Sequence, residues 1–271
     1  MVSITSDGWL RPEGPELTFS LEKSTYYVLS EKVFNLQESL GRLPKSWCPD
    51  PGNLESKLRE LKSAIESHEV LSGLLNGCKF PFVVPADELA RSDLGDALEN
   101  LLFPTIKERF ETASGKNRFR AMAQGDLKLR EHLTSHMTTG QVAVKQTLAA
   151  GESLCGWIFP TALLGYSVAS QRVAIQRVLA SCADAQFHVS LAGVLEIGAG
   201  LVMYPTMLND PQNYTPVLCA SGDTHTDERY ALTFKSYGPH LEFWLLPNRI
   251  DPGTEQISEQ WGGVISIWSK L

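Results

Sequence analysis

The apolar residues of this chain recur at two different periods, and the change from one to the other restricts the folds open to it. In the first third, Leu29, Val33, Leu36 and Leu40, and then Leu54, Leu58, Leu61 and Ile65, stand three or four positions apart. That spacing lays a stripe along one side of an α-helix. From Lys116 onward, shorter runs rich in β-branched and aromatic residues take over, bounded by Gly, Pro and Asp, the signature of strands. A period change of this kind predicts an α+β fold: an N-terminal helical hairpin followed by a mostly antiparallel or mixed sheet covered by helices. The 271 residues divide as a helical region over 1–77 and an α+β domain over 78–271, or form one continuous domain.

The pattern places the first helix over Ser20–Leu40, stopped by Gly41 and Pro44, and the second over Asn53–Asn76, with Asn53 as cap and Gly77 beyond its end. Pro81 marks Lys79–Val84 as an edge strand. Asp87–Thr112 reads as two short helices separated at Pro104. Arg118–Ala123, Gln141–Leu148 and Ser153–Phe159 read as strands, the last ended by Pro160. A helix capped by Ser167 and running to Ser181, a strand over Phe187–Leu191 and a buried helix over Val194–Leu208 follow. Thr215–Ala220, Tyr230–Ser236, Leu241–Leu246 and Val264–Trp268 complete an antiparallel sheet, with a hairpin turning at Tyr237, Gly238 and Pro239.

Charge and hydropathy exclude several functions. Twenty-four basic and thirty-one acidic side chains give a net charge of −7, the wrong sign for attraction to nucleic acid or an anionic membrane. The one basic stretch, from Lys107 to Arg130, is interleaved with Glu108, Glu111 and Asp126 and reads as a mixed solvated face. The N-terminus lacks a basic region followed by an apolar run. The longest weakly polar segment, Val189–Leu208, contains Glu196 and suits a buried helix better than a membrane span. Five scattered cysteines without a C-x-x-C pair point to reduced thiols, and so to the cytoplasm.

Familiar cofactor motifs are missing, and no cofactor is expected. The glycines of GVLEIGAGL lack the order of a dinucleotide loop, no Walker sequence occurs, and small residues there suit close helix packing. Ser20 and Lys23 match S-x-x-K without the companion motifs, so Ser20 reads as a cap. His132 and His136, four apart, would share one side of a helix as paired metal ligands do, although a solvent-facing last turn explains them as well. The densest polar group runs from Cys219 to Glu228. In an extended segment Asp223, His225 and Asp227 alternate onto one face as acid-base or metal-binding candidates, with Cys219 as a candidate nucleophile. An ordinary exposed connection has the same composition. The sequence therefore points first to an intracellular protein that binds a protein partner or a small molecule through its amphipathic helices and late tryptophans. The alternative is a small-molecule enzyme, such as a hydrolase, using the Cys219–Glu228 cluster.

Overall fold

A computed structural model describes residues 2–12, 17, 23–29, 35–47, 50–86, 93–122, 129–247 and 258–271. Strands β1 (Val2–Ile4) and β2 (Leu10–Pro12) form a small ribbon. Helices α1 (Leu36–Leu40) and α2 (Pro51–Glu66), a 3-10 turn over Ser72–Asn76 and strand β3 (Phe80–Val84) follow. Next come α3 (Leu94–Ala97), a π turn (Leu98–Leu102), α4 (Phe103–Ser114), β4 (Phe119–Met122), β5 (Leu133–Ser135) and α5 (Gln141–Ala149). Then β6 (Leu154–Leu164), α6 (Val168–Ser181), β7 (His188–Leu191) and α7 (Val194–Met203) build the centre. The last elements are β8 (Val217–Cys219), β9 (Asp223–His225), β10 (Tyr230–Tyr237), β11 (His240–Pro247) and β12 (Trp261–Lys270).

The main sheet has eight strands in the order β3-β6-β12-β8-β10-β11-β4, with β7 also paired to β12. One edge of β12 is shared: β8 takes residues 261–263 and β7 takes 265–268. The sheet is mixed, because β12–β8 and β11–β4 run parallel while the remaining pairs are antiparallel. This is the α+β class that the two apolar periods imply, and β3 with Pro81 is an edge strand as expected. Strands β5 and β9 pair separately, with Leu133 opposite His225 and Ser135 opposite Asp223.

Every residue of β6 is buried, because helices cover both of its faces. The Trp157 indole N–H donates to the Leu58 carbonyl of α2 at 3.1 Å. On the neighbouring position, Ile158 meets α7, where a Cβ on Gly200 would lie 2.8 Å from its Cδ1. A Cβ on Gly198 would lie 2.3 Å from Leu102 Cδ2, so these glycines allow close packing, as their composition suggested. One apolar cluster extends from Trp9 to Trp268. No described helix is long and apolar enough to cross a membrane.

Several elements differ from the sequence expectation for identifiable reasons. Of the helix over Ser20–Leu40, residues 20–22 and 30–34 lie outside the described set, 23–29 are not helical, and only Leu36–Leu40 is. Tyr27 instead bridges Tyr214 in parallel, with the Val28 N–H on the Tyr214 carbonyl at 2.9 Å. Among the described residues the partner expected for α2 shows little more than one helical turn, and the α2 stripe of Leu54, Leu58, Leu61 and Ile65 is buried beside β6 and β12. Helix α2 is capped by Asp50, whose Oδ1 accepts the Asn53 N–H, with Pro51 preset at the first position. Pro104 does not break its helix, because the preceding turn widens until the Phe103 N–H reaches Leu98. Pro160 does not end β6 either: the β12 register shifts between Gly263 and Ile265, and the irregularity absorbs the missing N–H. Gln141–Ala149 is a helix rather than a strand. Burial of Val144, Thr147 and Leu148 at helical spacing overrides the β propensity of its valines.

Leu58 is fully buried, so Leu58→Ala should lower unfolding free energy by about 2–5 kcal/mol, measured by denaturant melts. A change below about 0.5 kcal/mol would be that of a surface position.

Candidate functional site

The site starts from an unfilled requirement at the N-terminus of α7. Gly193 stands at the cap position and has no side chain to accept the first free N–H groups of the helix. Two carboxylates supply that function, one from the first turn of the helix itself and one from a distant strand. Glu196, in the first turn, reaches back so that Oε2 accepts the Gly193 N–H at 3.1 Å. Asp223, from β9, accepts the Val194 N–H on Oδ2 at 2.8 Å. The approach is close enough that a Cβ on Gly193 would lie 2.2 Å from Asp223 Oδ2.

The surrounding elements fix both carboxylates. Arg172 of α6 donates to the carbonyls of Ser221 and Asp223, each at 3.0 Å. The Gly222 N–H donates to the Ala192 carbonyl at 3.0 Å, and the Thr139 hydroxyl to the Gly222 carbonyl at 3.1 Å. Gln141, the first residue of α5, donates through Nε2 to Glu196 Oε1 and to the Leu191 carbonyl. The turn 220–223 is thereby locked against three elements, and Asp223 is aimed by its backbone.

Burial dominates the electrostatics. It pushes the Asp223 carboxyl up to about 6, against the Val194 N–H, the Ser135 hydroxyl, Arg172 and Lys145, which favour the charged form. Burial, then the Asp223 charge, push Glu196 up to about 7, opposed by Gln141 and the backbone N–H groups. The two carboxyls are coupled, because the Asp223 charge opposes ionisation of Glu196.

Asp223 Oδ1 is buried and meets no donor at hydrogen-bonding geometry. An orphaned buried acceptor of this kind calls for a physical explanation. Asp223 lines a cavity of about 160 Å³ walled by Leu133, Val144, Leu148 and Leu195, with Lys145 and Asp93 also on its lining. Three surface depressions are wider, at about 400, 500 and 750 Å³, yet none is lined by a buried side chain lacking a partner. The 160 Å³ cavity is therefore the candidate site.

The residues singled out in the sequence distribute unevenly. Asp223 is central. His225 is on the same strand but turns away from the cavity: its ring stacks on His132 at 5.6 Å and its Nδ1 accepts the Asp227 N–H at 3.0 Å. Asp227 leaves β9 in a turn and is held down to about 2 by hydrogen bonds from Arg229. Cys219 is buried against Val168, Val217, Ala231 and Trp261, and burial pushes its thiol up to about 12, so it carries almost no thiolate at neutral pH. His132 and His136 share no helix: they stand at opposite ends of the three-residue strand β5. His132 contacts Thr226 and His136 contacts Thr138. Among the described residues no three His, Cys, Asp or Glu side chains gather to hold a metal. Glu196, Gln141 and Arg172 escaped the sequence reading. Glu196 had a usable signal, as the one charge within an otherwise apolar helix.

No protein-family model, curated protein or solved structure matches the chain.

The carboxyl shifts predict an unusual pH dependence. Both folded values lie above the ordinary carboxyl range, so the folded state binds more protons than the unfolded state between about pH 4 and 7, and the stability these groups contribute is lost as pH rises. Asp223→Asn keeps an oxygen for the Val194 N–H and removes the charge. At pH 8 the variant should be more stable than wild type by about 1–3 kcal/mol, and at pH 4 the two should agree within about 0.5 kcal/mol. Urea melts across this range measure the difference, and a variant less stable at pH 8 would show that the charged form is the favoured one.

Proposed function

We propose that this chain is a ligand-binding protein that holds a small molecule in the cavity between α5, α7 and the β5–β9 ribbon. The carrying observation is the buried carboxyl of Asp223, raised by burial to about 6, on the lining of a cavity with otherwise largely apolar walls. A basic group on the ligand complements the Asp223 charge, and the apolar walls take the body of the molecule, the usual division of roles in a small-molecule site. A protein partner is less well supported, because the apolar surfaces it would need are covered: the α2 stripe, Trp261 and Trp268 are buried. The cytoplasm suits this reading, since Cys182 and Cys219 are buried free thiols.

A second reading makes the same cavity catalytic. An Asp223 carboxyl near 6 is in the range where a general base works at neutral pH. It rests on Asp223 rather than on the Cys219 nucleophile. Mass spectrometry of a bound ligand after incubation separates the two, because the enzyme reading requires a changed mass or isomer.

Thermal shift with a panel of small primary amines tests the binding reading on wild type and Asp223→Asn. A binding amine should stabilise wild type and leave the variant unshifted. Its affinity should rise about tenfold from pH 5 to pH 8 as Asp223 ionises. Equal shifts in both proteins would place any binding elsewhere, and a panel without a single shift would remove the support for the cavity.

A further inference from the structure

A depression of about 750 Å³ at the tip of the β10–β11 hairpin has the opposite character to the Asp223 cavity and shares no lining residue with it. Among its described lining residues Val217 is the one branched aliphatic, and amides, hydroxyls and tyrosines predominate. Three segments meet there and are pinned to one another. The parallel bridge between Tyr27 and Tyr214 holds the first to the second, and the Asn209 amide donates to the Pro239 carbonyl at 3.4 Å, which holds the second to the hairpin. Asp210 folds the second segment, its Oδ1 accepting the N–H groups of Gln212 and Asn213 at 2.8 and 3.2 Å.

The described lining carries one acidic and one basic side chain, and both are engaged. Asp210 holds its own turn together. Lys235 sets its ammonium 3.8 Å from the centroid of the Trp244 ring, and burial pushes its pKa down. The depression therefore offers little to an ionic ligand. What it offers is neutral: the side-chain amides of Asn117, Gln212 and Gln260 make no hydrogen bond among the described residues, and none of the three residues is buried. Each amide has two N–H donors and a carbonyl acceptor to fill. Tyr214 and Tyr237 also line the depression and are each 64% exposed. Tyr26 stacks on Tyr214 at 4.9 Å, which covers one face of that ring and leaves the rest in solvent.

Sugar chains match this combination. A hydroxyl both donates and accepts, so it answers either end of an amide without bringing charge, and the C–H face of a sugar ring is an apolar surface for a tyrosine ring. A proline-rich peptide also docks on aromatic side chains, but proline has no N–H to answer the amide carbonyls. Size favours more than one ring: a cavity of about 150 Å³ holds benzene, and the depression is several times larger. We propose that it binds a neutral oligosaccharide, with sugar rings against Tyr214 and Tyr237 and hydroxyls on the amides of Asn117, Gln212 and Gln260. This site stands apart from the Asp223 cavity and does not depend on the reading given to it.

Calorimetric titration of the full chain with maltohexaose, cellohexaose, chitohexaose and decaproline tests it. At least one hexasaccharide should bind, more tightly than its own disaccharide, and high salt should leave the affinity unchanged because no ion pair forms. Tyr237→Ala should weaken binding about threefold to tenfold through the lost ring contact, and Gln212→Ala by a similar factor through the lost hydrogen bonds. Both residues are exposed, so thermal melts of the two variants should match wild type. If no hexasaccharide binds, or if both variants bind as wild type does, the proposal is overturned. Binding of decaproline alone would make the depression a peptide site and overturn it equally.

Discussion

The hydrogen bond from the Val194 N–H to Asp223 Oδ2 is the contact on which the arrangement of this half of the molecule turns. It joins the central buried helix to a ribbon that belongs to no other sheet. Without it, α7 would begin with unfilled backbone donors inside the protein, each costing on the order of 1–3 kcal/mol. Because the cap comes from another strand, the same bond fixes β9, and through the Ser135–Asp223 register it fixes β5. The cavity is the space left between that ribbon and α5 once the cap is made.

Capping explains only half of the Asp223 carboxylate. A neutral side-chain oxygen, from serine or asparagine, would fill the same N–H with no charge to bury. The helix dipole favours the charge by about 0.3–1 kcal/mol at an exposed terminus and up to about 2 kcal/mol when partly buried. Burial still wins here, since the carboxyl is raised rather than lowered. The second oxygen, buried without a hydrogen-bond partner, therefore remains a cost that folding leaves uncompensated. Residues kept at a net cost to stability are where ligand contacts are commonly found.

The parts of the fold that a period can encode were legible. The α2 stripe, the capped α6, the wholly buried α7 and the β10–β11 hairpin follow from local spacing and turn chemistry. Elements set by distant contacts were not: Gln141–Ala149 has the composition of a strand and becomes a helix because Val144, Thr147 and Leu148 have a core to enter. Pro104 and Pro160 were read as breaks because a missing N–H is local, whereas the π turn and the register shift that absorb it depend on neighbours.

The candidate site shows the same limit more sharply. Asp223 was recognised within a polar run, but its chemistry depends on pairing with β5 and on meeting a helix whose own cap is glycine. Alternation along an extended segment correctly placed Asp223 and His225 two apart on one strand, and it joined Asp227 to them only because it assumed the strand continued. The strand ends at His225, where the imidazole accepts the Asp227 N–H and turns the chain away. One local hydrogen bond thus separates a triad that sequence spacing had assembled, while Glu196, Gln141 and Lys145, remote in sequence, are brought to the carboxylate by the packing of α5 and α7 around the ribbon.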